Sequence, residues 1–150
     1  MKKIFKNING ETIDVVPHTM QILSKTPNIQ IHIGTDSQRY GDGVVYVTAV
    51  AYCSPFRKGV HYIIAKEKHP PIKDNWTRLF REAQLSIETA EWLTSNINVK
   101  VEIDMDYNSK KGFESNKLVT AARGWAESLG YKVNIKPHKQ IATHAADAHC

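Results

Sequence analysis

The chain has 150 residues, 41% of them hydrophobic, enough for one domain with a real core. Lys and Arg number 20 against 15 Asp and Glu, a formal charge of +5, and this moderate basicity favours a polyanionic partner, nucleic acid before others. Cys53 and Cys150 form no disulfide framework, no apolar stretch reaches transmembrane length, and the basic start runs into a polar Asn9-Gly10 instead of a signal peptide's apolar segment. The expectation is a cytoplasmic protein without a membrane partner.

Residues 4–16 read as a hairpin, Phe5 to Ile8 and Glu11 to Val16 around an Asn9-Gly10 turn. Pro17 opens a short helix through Leu23, and Pro27-Asn28 lead into an Ile29–Thr35 strand that delivers Asp36 at its end. Gly41-Asp42-Gly43 form a turn. Val44 to Cys53 is then almost continuously apolar, as a strand buried on both faces is. Ser54-Pro55 and Gly59 bracket the next turn, and Val60 to Ala65 completes an antiparallel meander.

Pro70-Pro71 stop the sheet, and Asp74 or Asn75 caps a helix running to Asn96. Its stripe is Leu79, Ala83, Ile87, Ala90 and Leu93. A Val99–Met105 strand follows, then a polar loop and a helix from Glu114 to Leu129. Leu118, Ala122, Trp125 and Leu129 mark that helix's buried side, and Gly130 ends it. Tyr131, Val133 and Ile135 alternate as a fifth strand, Pro137 ends it, and the tail from His144 starts a last helix.

The fold class is therefore α/β: a mixed five-stranded sheet, antiparallel meander first and alternating helices and strands after, with helices packed on it and a small amino-terminal hairpin beside it. Residues 1–150 form a single domain, 1–28 the hairpin and short helix and 29–150 the core. The helix after the third strand permits a parallel crossover that sets the fourth strand beside the first.

That adjacency gives the acids their meaning. Asp36 shares strand parity with Gln30, His32 and Gly34, and Asp104 shares it with Glu102, each opposite a run of Ile and Val. Either acid alone reads as a turn cap. Two on the same parity of neighbouring strands need a cation, a shared proton or a basic neighbour, and a divalent metal is the favoured reading. On a wheel of about 100° per residue, Glu88 falls opposite the first helix's stripe and Glu91 on its far rim, while Glu82 falls on the near rim, able to look along the sheet. Asp106 keeps Asp104's parity and is a candidate outer ligand. Asp147 sits in the tail beside His144, His149 and Cys150, a spacing that matches no closed zinc motif. Arg39, Lys110, Lys111, Lys136 and Lys139 are the candidate phosphate contacts, and Trp76 is a candidate base-stacking residue.

Gly34-Thr35-Asp36-Ser37-Gln38, Ile103-Asp104-Met105-Asp106 and Ala145-Ala146-Asp147 together resemble the ribonuclease H-like superfamily, in its YkuK-type branch, over nearly the whole chain. The first strand, first helix, fourth strand and terminal helix of that superfamily each supply one acid. The resemblance thus implies Asp36, Glu82, Asp104 and Asp147 as catalytic residues holding two Mg²⁺ or Mn²⁺ ions, with Asp36 bridging. It implies a metal-dependent phosphodiester hydrolase acting on nucleic acid. The alternative is a ribonuclease H-like module that binds nucleic acid or protein without cutting. The chain ends three residues after Asp147 and lacks the basic handle with which some relatives grip hybrid duplexes, so a preference for RNA–DNA hybrids is not implied.

Overall fold

The computed structural model describes residues 3–54, 60–105, 112–135, 141–147 and 149; for residues 112–116, 144 and 147 it describes the backbone alone. The Asn9-Gly10 turn joins β1 (Phe5–Lys6) to β2 (Thr12–Ile13), with Gly10 at φ +81 and the Asn7 side chain accepting from the amides of Asn9 and Glu11. Helix α1 (Val15–Lys25) follows. Strands β3 (Gln30–Tyr40), β4 (Gly43–Cys53) and β5 (Val60–His69) form the expected meander.

Helix α2 (Asn75–Asn96) starts where the sequence indicated: the Asp74 carboxylate accepts from the Thr77 amide at 3.1 Å and from its hydroxyl at 2.7 Å. Beyond it come β6 (Val101–Met105), α3 (Gly112–Ser128), β7 (Lys132–Ile135) and α4 (Ala142–Asp147). Gly130 ends the α3 region at φ +92, a left-handed position that favours glycine. Leu129, expected on that helix's buried side, lies past its last turn and is exposed.

Among the described residues, seven strands share one mixed sheet, in the order β2-β1-β5-β4-β3-β6-β7. This extends the expected five. The amino-terminal hairpin does not stand apart: β1 pairs antiparallel with β5 through Lys6 and Ile64, covering backbone groups that an edge strand would leave open. A second difference concerns β3. It does not end before Asp36 but pairs with β4 without a break to Tyr40 opposite Gly43, so Asp36 lies within the strand, across from Val47. The ladder is made by backbone groups, and the long apolar β4 offers them to the polar end of β3 as readily as to its apolar start.

The larger core lies on one face. Ile31 and Ile33 of β3, Val50 of β4, Ile63 of β5 and Val101 and Ile103 of β6 pack with Ala83, Ile87, Ala90 and Leu93 of α2 and with Val119, Ala122 and Ala126 of α3. On the other face Val47, Ala49 and Ala51 of β4 meet Ile141, Ala142 and Ala146 of the α4 segment. The polar face of β3 and β6 is therefore roofed by α4.

Candidate active site

The crossover through α2 sets β6 beside β3 in parallel, as the acid pairing requires. The register then decides which residues meet. Gly34, not Asp36, is level with Asp104, and Asp36 lies two residues further on, about 6.6 Å along the strand. Asp36 is half-buried on the parity of His32 and Gly34.

Asp104 is 1% exposed, and hydrogen bonds occupy both oxygens. His32 Nδ1 donates to Oδ1 at 3.0 Å and Asn134 Nδ2 at 2.8 Å, while the amides of Ile141 and Ala142 each donate to Oδ2 at 2.9 Å. A carboxylate has about four acceptor positions, and here all are used. Burial by itself raises the pKa of such a group, but the hydrogen bond and charge of His32, with the donors of Asn134 and Ala142, hold Asp104 below the usual carboxylate range. Two of its donors, the amides of Ile141 and Ala142, stand at the start of α4. Gly34 accommodates the same junction: a Cβ there would lie 2.9 Å from the Thr143 backbone nitrogen and 3.0 Å from Ala142 Cβ.

Around this pair, His32 Nε2 is buried without a hydrogen-bond partner and lies 3.7 Å from Glu102 Oε2. Glu102 in turn accepts from Asn134 at 3.2 Å and pairs with Lys132 at 3.5 Å. His32 and Asn134 were missed as functional candidates. Strand parity was the available signal: His32 alternates with Ile31 and Ile33, and Asn134 with Val133 and Ile135, which puts both on the acid face.

Glu82 lies elsewhere. It is 4% exposed, and its carboxylate accepts a hydrogen bond from Ser37 Oγ, which also accepts from Arg78 at 2.9 Å. Ser37 follows Asp36 directly, so the two side chains leave opposite faces of β3, and Glu82 belongs to the α2 side. Thr35 continues that line: its hydroxyl is 2.7 Å from Ser86 and 3.2 Å from Thr48. Glu88 and Glu91 are exposed, Glu88 accepting from Gln84 at 3.1 Å.

Asp147 is the last residue of α4, and its side chain lies outside the described residues, as do Asp106, Lys110, Lys111, Lys136 and Lys139. Arg39 is exposed and donates to the Ile72 carbonyl at 2.9 Å and to Asn75 Oδ1 at 3.1 Å. Trp76 is exposed and stacks on Phe80, ring centroids 5.1 Å apart and planes 5° from parallel. Among the described residues no three His, Cys, Asp or Glu side chains converge to hold a metal ion.

A meander feeding a parallel β3–β6–β7 half, with acids on its central strands and helices on both faces, defines an α/β protein of ribonuclease H-like architecture. The family model described as Ribonuclease H-like matches residues 13–150, and the chain belongs to that family, in its YkuK-type branch. No curated protein matches the chain. No helix among the described residues is long and apolar enough to cross a membrane.

Proposed function

We propose that this protein is a metal-dependent phosphodiester hydrolase acting on nucleic acid. One observation carries the reading: α4, the helix that ends in Asp147, packs on β3, the strand that bears Asp36. Family membership and the net positive charge support the same substrate class.

A hard divalent cation suits the oxygen donors of such a site. Asp36, half-buried on a central strand, is the acid best placed to hold it, with Asp147, and Asp106 as an outer ligand, completing the set. Glu82 and Asp104, as placed, are occupied: one by Ser37, the other by four donors. Two bound Mg²⁺ or Mn²⁺ ions would supply Lewis-acid stabilisation of the charge developing on a phosphodiester and a nucleophilic water at neutral pH. Arg39, Lys110, Lys111, Lys136 and Lys139 are the proposed backbone contacts, which grip phosphate without reading sequence. The commitment of Glu82 and Asp104 favours a second reading, a module that binds nucleic acid or protein without cutting it.

Cleavage of single-stranded, duplex and hybrid oligonucleotides in Mn²⁺ or Mg²⁺ separates the two. The hydrolase reading expects metal-dependent cleavage that Asp36→Asn lowers by about 100-fold or more. Absence of cleavage on every substrate, or an Asp36→Asn chain that cuts as well as the parent, removes it. Tight, salt-sensitive binding without cleavage supports the second reading.

A further inference from the structure

We propose that Asp104 is a positioning residue whose carboxylate clamps the start of α4 over Gly34 and so fixes where Asp147 stands relative to Asp36; this rests on the hydrolase reading above. Three observations converge on it. Asp104 is buried, and two of its four donors are the backbone amides of Ile141 and Ala142, at the entrance to α4. A helix of six residues cannot hold itself: its turns gain too few backbone bonds to offset nucleation. Its place must come from contacts, and the amides at its entrance are held by Asp104. Finally, Gly34 leaves room for the backbone of Thr143 at a distance no side chain permits, so sheet and helix meet at one fixed level, the level of Asp104.

The chemistry separates the two roles an acid can have here. A ligand needs a lone pair directed at the cation, and Asp104 has all four directed at donors. To ligate a metal it would have to give up His32 and Asn134, leaving a buried imidazole without its carboxylate, or release the amides that begin α4. His32 orients the carboxylate from the β3 side and Asn134 from the β7 side. The clamp thus ties three strands and one helix through a single side chain.

The test reads α4 and the metal separately, in the full chain. Hydrogen exchange is followed at the amides of residues 141–147, and Mn²⁺ affinity is measured by titration calorimetry, for the parent, Asp104→Asn, Asn134→Ala and Gly34→Ala. Gly34→Ala matters because it disturbs the same docking without touching an acid. A clamp predicts that both Asp104→Asn and Gly34→Ala raise exchange over 141–147 by about 10-fold or more while the β3 and β4 amides stay protected. Mn²⁺ affinity should then fall about 10-fold in both, with cleavage partly restored at high Mn²⁺, because Asp36 is intact. Asn134→Ala should do the same more weakly. Loss of Mn²⁺ binding in Asp104→Asn with unchanged exchange over 141–147 overturns the proposal and makes Asp104 a ligand. Loosened exchange in Gly34→Ala with undiminished Mn²⁺ affinity overturns it too, since the site would not depend on where α4 sits. A parent chain that neither binds Mn²⁺ nor cleaves removes the hydrolase reading by itself, and the exchange arm still upholds or overturns Asp104 as the anchor of α4.

Discussion

The two faces of β3 are built from alternate residues of one strand, yet they are held by different physics. Towards α2 and α3, Ile31 and Ile33 enter a large apolar core, and only the carboxyl half of the strand turns polar, through Thr35 and Ser37. Towards α4, His32 and Gly34 face a six-residue helix that rests on a smaller apolar cluster and whose entrance amides donate to Asp104. Apolar burial is non-directional and scales with area, so it supplies stability and tolerates small shifts. A saturated carboxylate is directional and supplies position. The stability of this domain and the geometry of its candidate site are thus divided between opposite faces of the sheet.

The sharpest way to break that division is to delete comparable apolar volume on each side. Ile103→Ala on the α2 side removes a fully buried side chain and is expected to cost about 2–5 kcal/mol. Ile141→Ala, beside α4 at the periphery of the smaller cluster, should cost clearly less. Urea denaturation with a common m-value gives both numbers. Equal costs would mean that the α4 face is packed as the other is, and the contrast would be lost.

Much of the packed face was legible in the sequence, because its signals are periodic. The α2 stripe of Ala83, Ile87, Ala90 and Leu93, the Asp74 cap and the apolar β4 run all lie where their patterns put them. So does the parallel β3–β6 pairing. The positioned face was only half legible. Strand parity found the side to which Asp36 and Asp104 belong, but parity has a period of two and says nothing about register, so the level of Asp104 with Gly34 was out of reach. The length of β3 was hidden because its second half is polar and is recruited by β4. Glu82 was assigned to the shared polar site from a wheel, which gives an azimuth on the helix but not the side of the sheet on which the helix packs. Its partner Ser37 shows that side.

A finer test lies in the polar stretch of the packed face. Thr35, Ser86 and Thr48 are all buried, and their hydroxyls satisfy one another. Thr35→Val keeps the volume but leaves Ser86 and Thr48 without that partner, an expected cost of about 1–3 kcal/mol. Adding Ser86→Ala should recover part of it, because an apolar pair of similar shape costs less than one stranded hydroxyl. A double variant no better than the single would mean that the hydroxyls act independently and that this face holds no directional network.

The smallest expected effect concerns α1, a helix that joins the packed face with polar ties of its own. Thr19 Oγ1 lies 2.6 Å from the Tyr52 hydroxyl, and His18 Nε2 lies 2.8 Å from His61 Nε2. Burial, with His61 adding repulsion, lowers the pKa of His18, and burial lowers that of His61, in each case from 6.5. Burial pushes the Tyr52 phenol up to about 12, so it stays neutral throughout this range. A histidine lowered in the fold protonates first in the unfolded chain. Stability is therefore full above pH 6.5 and declines as pH falls through that value towards the folded pKa. His61 is exposed and His18 only half-buried, which keeps the slope shallow. Thermal melts between pH 7.5 and 5.5 should show it, and His61→Gln, which cannot titrate, should flatten it. A slope of the same size in His61→Gln would mean that the His18–His61 contact carries none of it, and α1 would then be held by Val15 with its apolar neighbours and by the Thr19–Tyr52 hydrogen bond.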